Sequence, residues 1–391
     1  MRGDIKSHML QCDVAIVGGS CAGAAAGYLL AKAGRQVIVI DKAVFPRNKL
    51  CGGMITEKTI KLLMGIYDDI QFDHIIDSSY STYGIYHSKI GKICKYTNPS
   101  RKLFFVERTI FDNYFLIKAE QIGCTVIPGQ KVIDIKDNRL ISDRGEEISA
   151  KYILGADGSH SIVHRLLFEE ENTKEAAIAL EVNVAYEHLN CFDDGDGIFP
   201  KIYFGAVSDG YGWIFPKRDF ATIGLGGLVS TNRNIRNRFN IFLKSIVKGG
   251  VDLISSSIRG FPIPFNNLVR KPAKDSVFLL GDAAGLIEPV TGEGIFFAIL
   301  SGKLAAESIL NGDNCDSYYI KRIDKSILKL LNQAYDAKHF LYTPKYLSYA
   351  MLKMKNNAKY CKHYFDLLSG EINYVQYGKR VLEDRGKYKS E

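Results

Sequence analysis

One stretch limits the possible folds more than any other. Cys12 to Asp41, CDVAIVGGSCAGAAAGYLLAKAGRQVIVID, reads as a strand, a glycine-rich turn, a helix and a second strand ending in an acid. Val14, Ala15, Ile16 and Val17 form the unbroken apolar run that a strand buried on both faces requires. Gly18 and Gly23 bracket a tight turn, and residues 22–33 predict a helix whose free N–H groups and positive dipole end suit a pyrophosphate. Residues 36–40 predict the parallel partner strand. Asp41, 18 residues after Gly23, falls where a carboxylate accepts hydrogen bonds from a ribose diol. Ser20 stands where the usual G-x-G-x-x-G pattern has its middle glycine, so the turn carries a hydroxyl beside the phosphates. The 18 uncharged residues from 14 to 31 are long enough for a membrane span. The glycine turn interrupts them, however, and both ends run into ordinary globular sequence, so a span is rejected.

A chain of 391 residues with 46% hydrophobic and 24% charged residues buries a large core and falls outside the disordered class. Residues 1–11 hold no apolar signal region, which points to a cytoplasmic protein. The eight cysteines are scattered without C-x-x-C or paired spacing, so neither zinc nor an iron–sulfur cluster is implied and reduced thiols are expected. From 315 to the end there are 15 Lys and Arg against 8 Asp and Glu, a net +7, whereas the rest balances at 36 against 35. This basic segment interleaves Lys with Tyr and Leu at helical spacing. Either it is a solvated helical face over a core, or it makes peripheral contact with an anionic membrane. No nucleic-acid module accompanies the charge, and nucleic-acid binding is not expected.

Further along, Lys42 opens a loop through Arg47, Lys49, Cys51, Gly52 and Gly53. Its glycines allow a backbone to approach a flat ring closely, and its cations suit phosphate oxygens. Cys51, beside those cations, is either a proton donor or nucleophile, or a small packing residue. Residues 56–64 predict a helix and 80–106 short strands. A helix from 109 to 122 follows, capped by Thr109, and strands resume at 124–127 and 132–135. Arg108, at a strand–helix junction, reaches a phosphate or an acid, or makes a surface salt bridge. An apolar strand ends at Gly-Ala-Asp157-Gly, at the carboxyl end where ligands of open α/β sheets collect. Residues 176–228 switch to alternation, predicting a mostly antiparallel sheet with Asp193-Asp-Gly-Asp-Gly197 as a turn rather than a calcium loop. In Tyr211-Gly-Trp213-Ile-Phe215-Pro-Lys217 the aromatics repeat at i, i+2 and i+4, so one strand face is an aromatic wall that lines a tunnel or fills the core. Residues 232–248 predict a helix, and a strand near 258 is expected to return the chain to the first domain. Another apolar strand then ends at Gly281-Asp282, whose carboxylate suits a ribityl hydroxyl. Thr291-Gly292-Glu-Gly294 leads into a helix from Ile295 to 310.

Together these pieces resemble flavoproteins of the p-hydroxybenzoate hydroxylase type, which implies FAD. The segments around Arg47 to Gly53, Tyr211 to Lys217 and Gly281 to Gly294 resemble the geranylgeranyl reductase family within that group. The fold expected is α/β: a Rossmann-like FAD-binding domain (10–175 and 263–312), an inserted mostly antiparallel substrate domain (176–262) and a basic helical C-terminal segment (313–391). By resemblance, Ala22, Asp41, Cys51, Gly52, Arg108, Val132, Asp282, Gly294 and Ile295 contact FAD. Cys51 matches the family's cysteine near the reacting alkene, and Tyr211, Trp213 and Phe215 match its tunnel motif. Lys217 is expected to meet a diphosphate or phospholipid head, and no residue is expected to bind metal. The resemblance implies reduction of carbon–carbon double bonds in a polyprenyl lipid or prenyl diphosphate, with NAD(P)H or another external donor, such as an electron-donor protein, as reductant. A flavin monooxygenase or halogenase on the same fold is the alternative.

Overall fold

The computed structural model describes residues 9–168, 176–192, 195, 197–250, 255–263 and 268–386. Strand Leu10–Val17 lies inside an eight-stranded sheet, paired in parallel with Val37–Asp41 on one side and Glu147–Gly155 on the other. Thr125–Pro128 extends the sheet beyond the former, and Val277–Leu279 and Ala273–Lys274 beyond the latter. Val14, Ala15 and Ile16 are fully buried, as the apolar run predicts. Helix Cys21–Lys32 covers this strand and is itself crossed by helix Ile295–Leu310 at backbone contact. A Cβ added to Gly302 would stand 2.3 Å from the Ala22 carbonyl oxygen. Small residues thus set how deeply the two helices sink together, and so bring both of their N-termini to one end of the sheet.

The second sheet has seven strands in the order Arg259–Ile263, Ala177–Ala185, Phe220–Leu228, Gly210–Pro216, Lys201–Phe204, Thr82–His87 and Gly91–Thr97. It is antiparallel except where Lys201–Phe204 runs parallel to Thr82–His87. Sequence alone confines this sheet to residues 176–262, but its last two strands come from residues 82–97. Tyr83, Gly84, Ile85 and Tyr86 are buried on both faces, which short strands achieve only inside a larger sheet. Likewise Arg259–Ile263 is an outer strand of this second sheet, so the chain rejoins the first sheet only at Ala273. Helix Ile235–Lys244 covers one face through Phe239, Phe242 and Leu243, packed on Ile214, Ile223 and Leu225. The opposite face presents Trp213 and Phe215.

The C-terminal segment is helical, as expected. Cys315–Ile323 continues through a π turn at Asp324–Leu328 into Lys329–Tyr342, followed by Pro344–Asn356, Ala358–Leu368 and Tyr374–Gly386. Met351, Met354, Tyr360, Tyr364 and Phe365 join the core of the second sheet beside Tyr83 and Ile85. The expectation that all thiols are reduced is corrected here: Cys94 and Cys361, 267 positions apart, form a disulfide joining strand Gly91–Thr97 to helix Ala358–Leu368, while six cysteines are free. Among the described residues no helix is long and apolar enough to cross a membrane, and no His, Cys, Asp and Glu cluster suits a metal. The uncharged window at 14–31 is divided between strand, turn and helix. Most of the acidic turn at 193–197 lies outside the described residues.

Candidate active site

The glycine turn is fastened from behind. Gly18, at φ +104°, donates its N–H to the Ile40 carbonyl at 2.8 Å. Asp41 accepts from the N–H groups of Gly19 and Ala43, both at 2.8 Å, so this acid holds the turn from the tip of the neighbouring strand. Ser20 begins helix Cys21–Lys32, and its hydroxyl, instead of capping the helix, donates to Asp112 at 2.9 Å. Asp112, buried one turn into helix Arg108–Gln121, receives both Nε (2.8 Å) and Nη2 (2.9 Å) of Arg108 and lies 3.2 Å from Arg47. Burial opposes its charge, yet Arg108, with Lys49 and Arg47, holds the carboxyl down at about 2. Arg108 therefore makes a buried ion pair, not a surface bridge, and its Nη2 also reaches Ser20 Oγ at 3.1 Å. Sequence reasoning missed Asp112; its signal was the i, i+4 spacing from Arg108. The expected cap Thr109 instead points its hydroxyl at Asn48, and Glu107 precedes the helix.

In front of this cluster opens a cavity of about 480 Å³. It brings together Ser20, Ala22, Cys51, Gly52, Gly53, Arg108, Gly281, Asp282, Gly292, Gly294 and Ile295 from the nucleotide half with Tyr211, Trp213 and Phe215 from the second sheet. Tyr342, Leu368 and Tyr374 from the C-terminal helices close another side. Of the remaining expected residues, Gly18, Gly23, Asp41 and Arg47 stand behind or beside the lining. Val132 is buried on its own strand, Lys42 is exposed, and Asp157 accepts from the Ile162 N–H at 2.6 Å at the start of the short helix Ile162–Leu167, which Ser161 caps.

Lys217 also lies outside the lining, which corrects its expected place at a substrate head group. It is 2% exposed, and its ammonium donates to the carbonyls of Gly52 and Val106, both at 2.9 Å. Burial lowers its pKa to about 8. These two bonds tie the Cys51 loop to the strand end before helix Arg108–Gln121. That loop is pinned again by the Cys51 N–H, which donates to Glu181 at 3.3 Å, and by the Gly53 N–H, which approaches Cys51 Sγ at 3.4 Å. Gly52 packs directly on the aromatic wall: a Cβ there would meet Phe215 at 2.7 Å. The hydroxyl of Tyr211 donates to the Thr291 carbonyl, tying that wall to the loop before helix Ile295–Leu310.

Glu181 is the second functional candidate missed in the sequence. Along Ala177–Ala185 the apolar residues Leu180, Val182 and Val184 face helix Ile235–Lys244, while Ala177, Ala179 and Glu181 face the cavity. A lone acid on the small-residue face of an alternating strand was the available signal. Trp213 reaches toward it across Gly224, which pairs in register with both residues. A Cβ at Gly224 would stand 2.1 Å from the indole. Gly224→Ala is therefore expected to tilt the only tryptophan and to cost about 1–3 kcal/mol, checked by indole emission and urea unfolding. Unchanged emission would contradict this packing.

The site fits an elongated anionic group. Helices Cys21–Lys32 and Ile295–Leu310 both open onto the cavity without a side-chain cap and without an acid in their first turns. Their first N–H groups therefore remain available to an anion in the cavity. Arg47 Nη1 is buried with no hydrogen-bond partner among the described residues, and Lys49 lies 3.7 Å from Asp282, which lines the cavity. These are features that a flavin dinucleotide would satisfy.

Comparison with known proteins agrees with this geometry. The model of the FAD binding domain family matches residues 11–307. The chain is 34% identical to an uncharacterized protein of Methanosarcina barkeri over 85% of its length and 84% of the relative's. It is 29% identical to the chloroplastic geranylgeranyl diphosphate reductase of Nicotiana tabacum, covering 84% and 71% of the two chains. With the digeranylgeranylglycerophospholipid reductase of Methanocaldococcus jannaschii the identity is 25%, over 88% and 87%. Among solved structures, a geranylgeranyl bacteriochlorophyll reductase-like protein of Thermoplasma acidophilum superposes with TM-score 0.76 at 21% identity, covering 89% of this chain and 92% of that one. The flavin-dependent brominase Bmp2 follows at 0.70 and 18%, covering 96% and 100%. These two likenesses establish the fold.

Proposed function

Because the chain belongs to the FAD binding domain family of flavin-dependent oxidoreductases, we propose that it saturates carbon–carbon double bonds of polyprenyl chains carried on a lipid or a diphosphate. The observation that carries this reading is one cavity shared by the nucleotide turn, Cys51 and the wall of Tyr211, Trp213 and Phe215. The prenyl reductases among its relatives support the substrate class. FAD, when bound and reduced by NAD(P)H or another external donor, supplies the hydride.

The chain's own residues supply the rest. Ala22, Gly281, Gly292 and Gly294 leave room along the two helix N-termini for the dinucleotide, and Arg108 and Lys49 add positive charge beside them. An unactivated alkene accepts hydride poorly. The aromatic faces favour the positive charge that develops on it, bind the apolar chain and exclude water. Cys51 gives the proton to the carbon that does not receive hydride, so each saturated bond gains one hydride and one proton. The resulting thiolate is then reprotonated. Burial of the Lys217 clamp keeps the Cys51 loop in place through the Gly52 carbonyl. Exposed Phe340, Tyr346 and Leu352, set among lysines on the C-terminal helices, support substrate delivery from an anionic membrane surface.

The test is anaerobic incubation of the reduced holoenzyme with geranylgeranyl diphosphate and with an unsaturated archaeal-type ether lipid, followed by mass spectrometry. A gain of two hydrogens per bond is expected. Cys51→Ser is expected to retain FAD and to lose about 10²-fold or more in rate. No reduction of either substrate, with NAD(P)H-driven oxygen consumption instead, would favour a monooxygenase. Undiminished reduction by Cys51→Ser would remove the thiol from the mechanism.

A further inference from the structure

Cys51 cannot turn over as an acid unless something returns its proton, and one buried group of the same cavity has no other assignment. Glu181 is 9% exposed, lines the cavity and accepts the Cys51 N–H through Oε1 at 3.3 Å. Its second oxygen, Oε2, is buried and faces the Trp213 indole N–H without closing a well-formed hydrogen bond to it. A buried carboxylate with one firm N–H donor and no ion-pair partner is costly, and taking up a proton removes that charge. The surroundings explain why the acid form is tolerated. On the neighbouring strand Phe220–Leu228 its register partner is Gly224, which brings no charge. On the other side its partner Arg259 is exposed and gives its guanidinium to the Ser256 carbonyl. The loop contributes the Cys51 N–H, with the thiol of the same residue lining the same cavity, and Lys217, just beyond strand Gly210–Pro216, already serves two carbonyls.

We propose that Glu181 is the proton store of this site, held as the carboxylic acid and returning a proton to the Cys51 thiolate after each alkene is saturated. The inference rests on the prenyl-reductase reading. The balance is direct: Cys51 passes its proton to carbon, Glu181 passes its own to sulfur, and solvent reprotonates the Glu181 carboxylate between turnovers. No electrons move in these steps. Glu181 acts through Cys51 and is a positioning and proton-supplying residue rather than one that meets the alkene carbon. Burial above all, opposed by the Cys51 N–H, by Lys217 and by the Trp213 indole N–H, raises the Glu181 pKa from 4.5 to about 7, which agrees with a store that fills and empties near neutral pH.

The chain contains one tryptophan, and it lies beside this carboxyl, so the proton can be followed without turnover. In the holoenzyme, Trp213 emission is expected to titrate with a midpoint near pH 7. Glu181→Gln should remove that inflection, keep FAD bound and keep any separate inflection from Lys217. The multiple-turnover rate of alkene reduction should fall as pH rises through the same midpoint in the wild type. In Glu181→Gln it should be about 10- to 100-fold lower and flat with pH, while a first turnover from protonated Cys51 is spared. An inflection that persists in Glu181→Gln, or an equal loss in first and later turnovers, would overturn the proposal. If the wild type reduces no prenyl substrate the parent reading fails, and the Trp213 titration still decides the protonation of Glu181.

Discussion

Asp112→Ala is expected to destabilise the protein by about 3–5 kcal/mol and to empty it of flavin. The carboxylate is buried and receives Nε and Nη2 of Arg108, the Ser20 hydroxyl and the approach of Arg47. Removing it leaves the buried guanidinium of Arg108 with no counter-charge and places Arg47 near it without a shared partner. Breaking one half of a buried pair costs more than the pair contributes, because the surviving charge remains desolvated. Ser20 and Arg108 both line the cavity, so the damage reaches the pyrophosphate end of the site. Asp112→Asn keeps the shape and one acceptor oxygen and should lie between the alanine variant and wild type. The measurement is the midpoint of urea unfolding at constant slope, with the flavin-to-protein absorbance ratio of the purified variants. A shift below about 1 kcal/mol for Asp112→Ala, the range of an exposed ion pair, would show that the cluster does not hold the turn.

Gly53→Ala should be almost as damaging, for two separable reasons. Gly53 adopts φ +72°, where an L side chain costs about 1–2 kcal/mol. Its added Cβ would also stand 2.1 Å from the Val106 carbonyl oxygen and 2.8 Å from Lys217 Nζ. The first obstacle is backbone that already accepts from Lys217, so the loop rather than the obstacle must move. Overpacking adds about 1–3 kcal/mol, and a displacement near one ångström at Cys51 costs about 10²-fold in rate. Gly145→Ala provides the control. It has φ +80° but nothing within 4 Å of the added Cβ, so it should show the backbone cost alone with full activity. If both variants behave alike, the tight packing around Cys51 is not what positions it.

The parts legible in the sequence were those whose signal is local. Apolar runs, closely spaced glycines and alternating aromatics are written in consecutive residues, so the turn from Val14 to Asp41, the strand end at Gly281-Asp282 and the period-2 aromatics from Tyr211 to Phe215 could be placed before any fold was known. Arg108 was recognised but not its partner, since an i, i+4 pair on a helix looks the same whether exposed or buried. Lys217 was assigned to a substrate because a lysine beside an aromatic motif gives no hint that its ammonium turns inward to two carbonyls.

What the sequence determined by itself is the nucleotide half, because the strand, turn and helix that cradle a pyrophosphate are contiguous and their geometry follows from glycine sterics and helix amides. Only the tertiary structure decided the reactive half. Residues 82–97 joined a distant sheet, Cys94 met Cys361, the C-terminal helices walled the cavity, and Glu181 came to rest against Cys51. Such contacts join segments 100 or more residues apart, where no local periodicity operates, and they exist only once burial of the two sheets has brought those segments together.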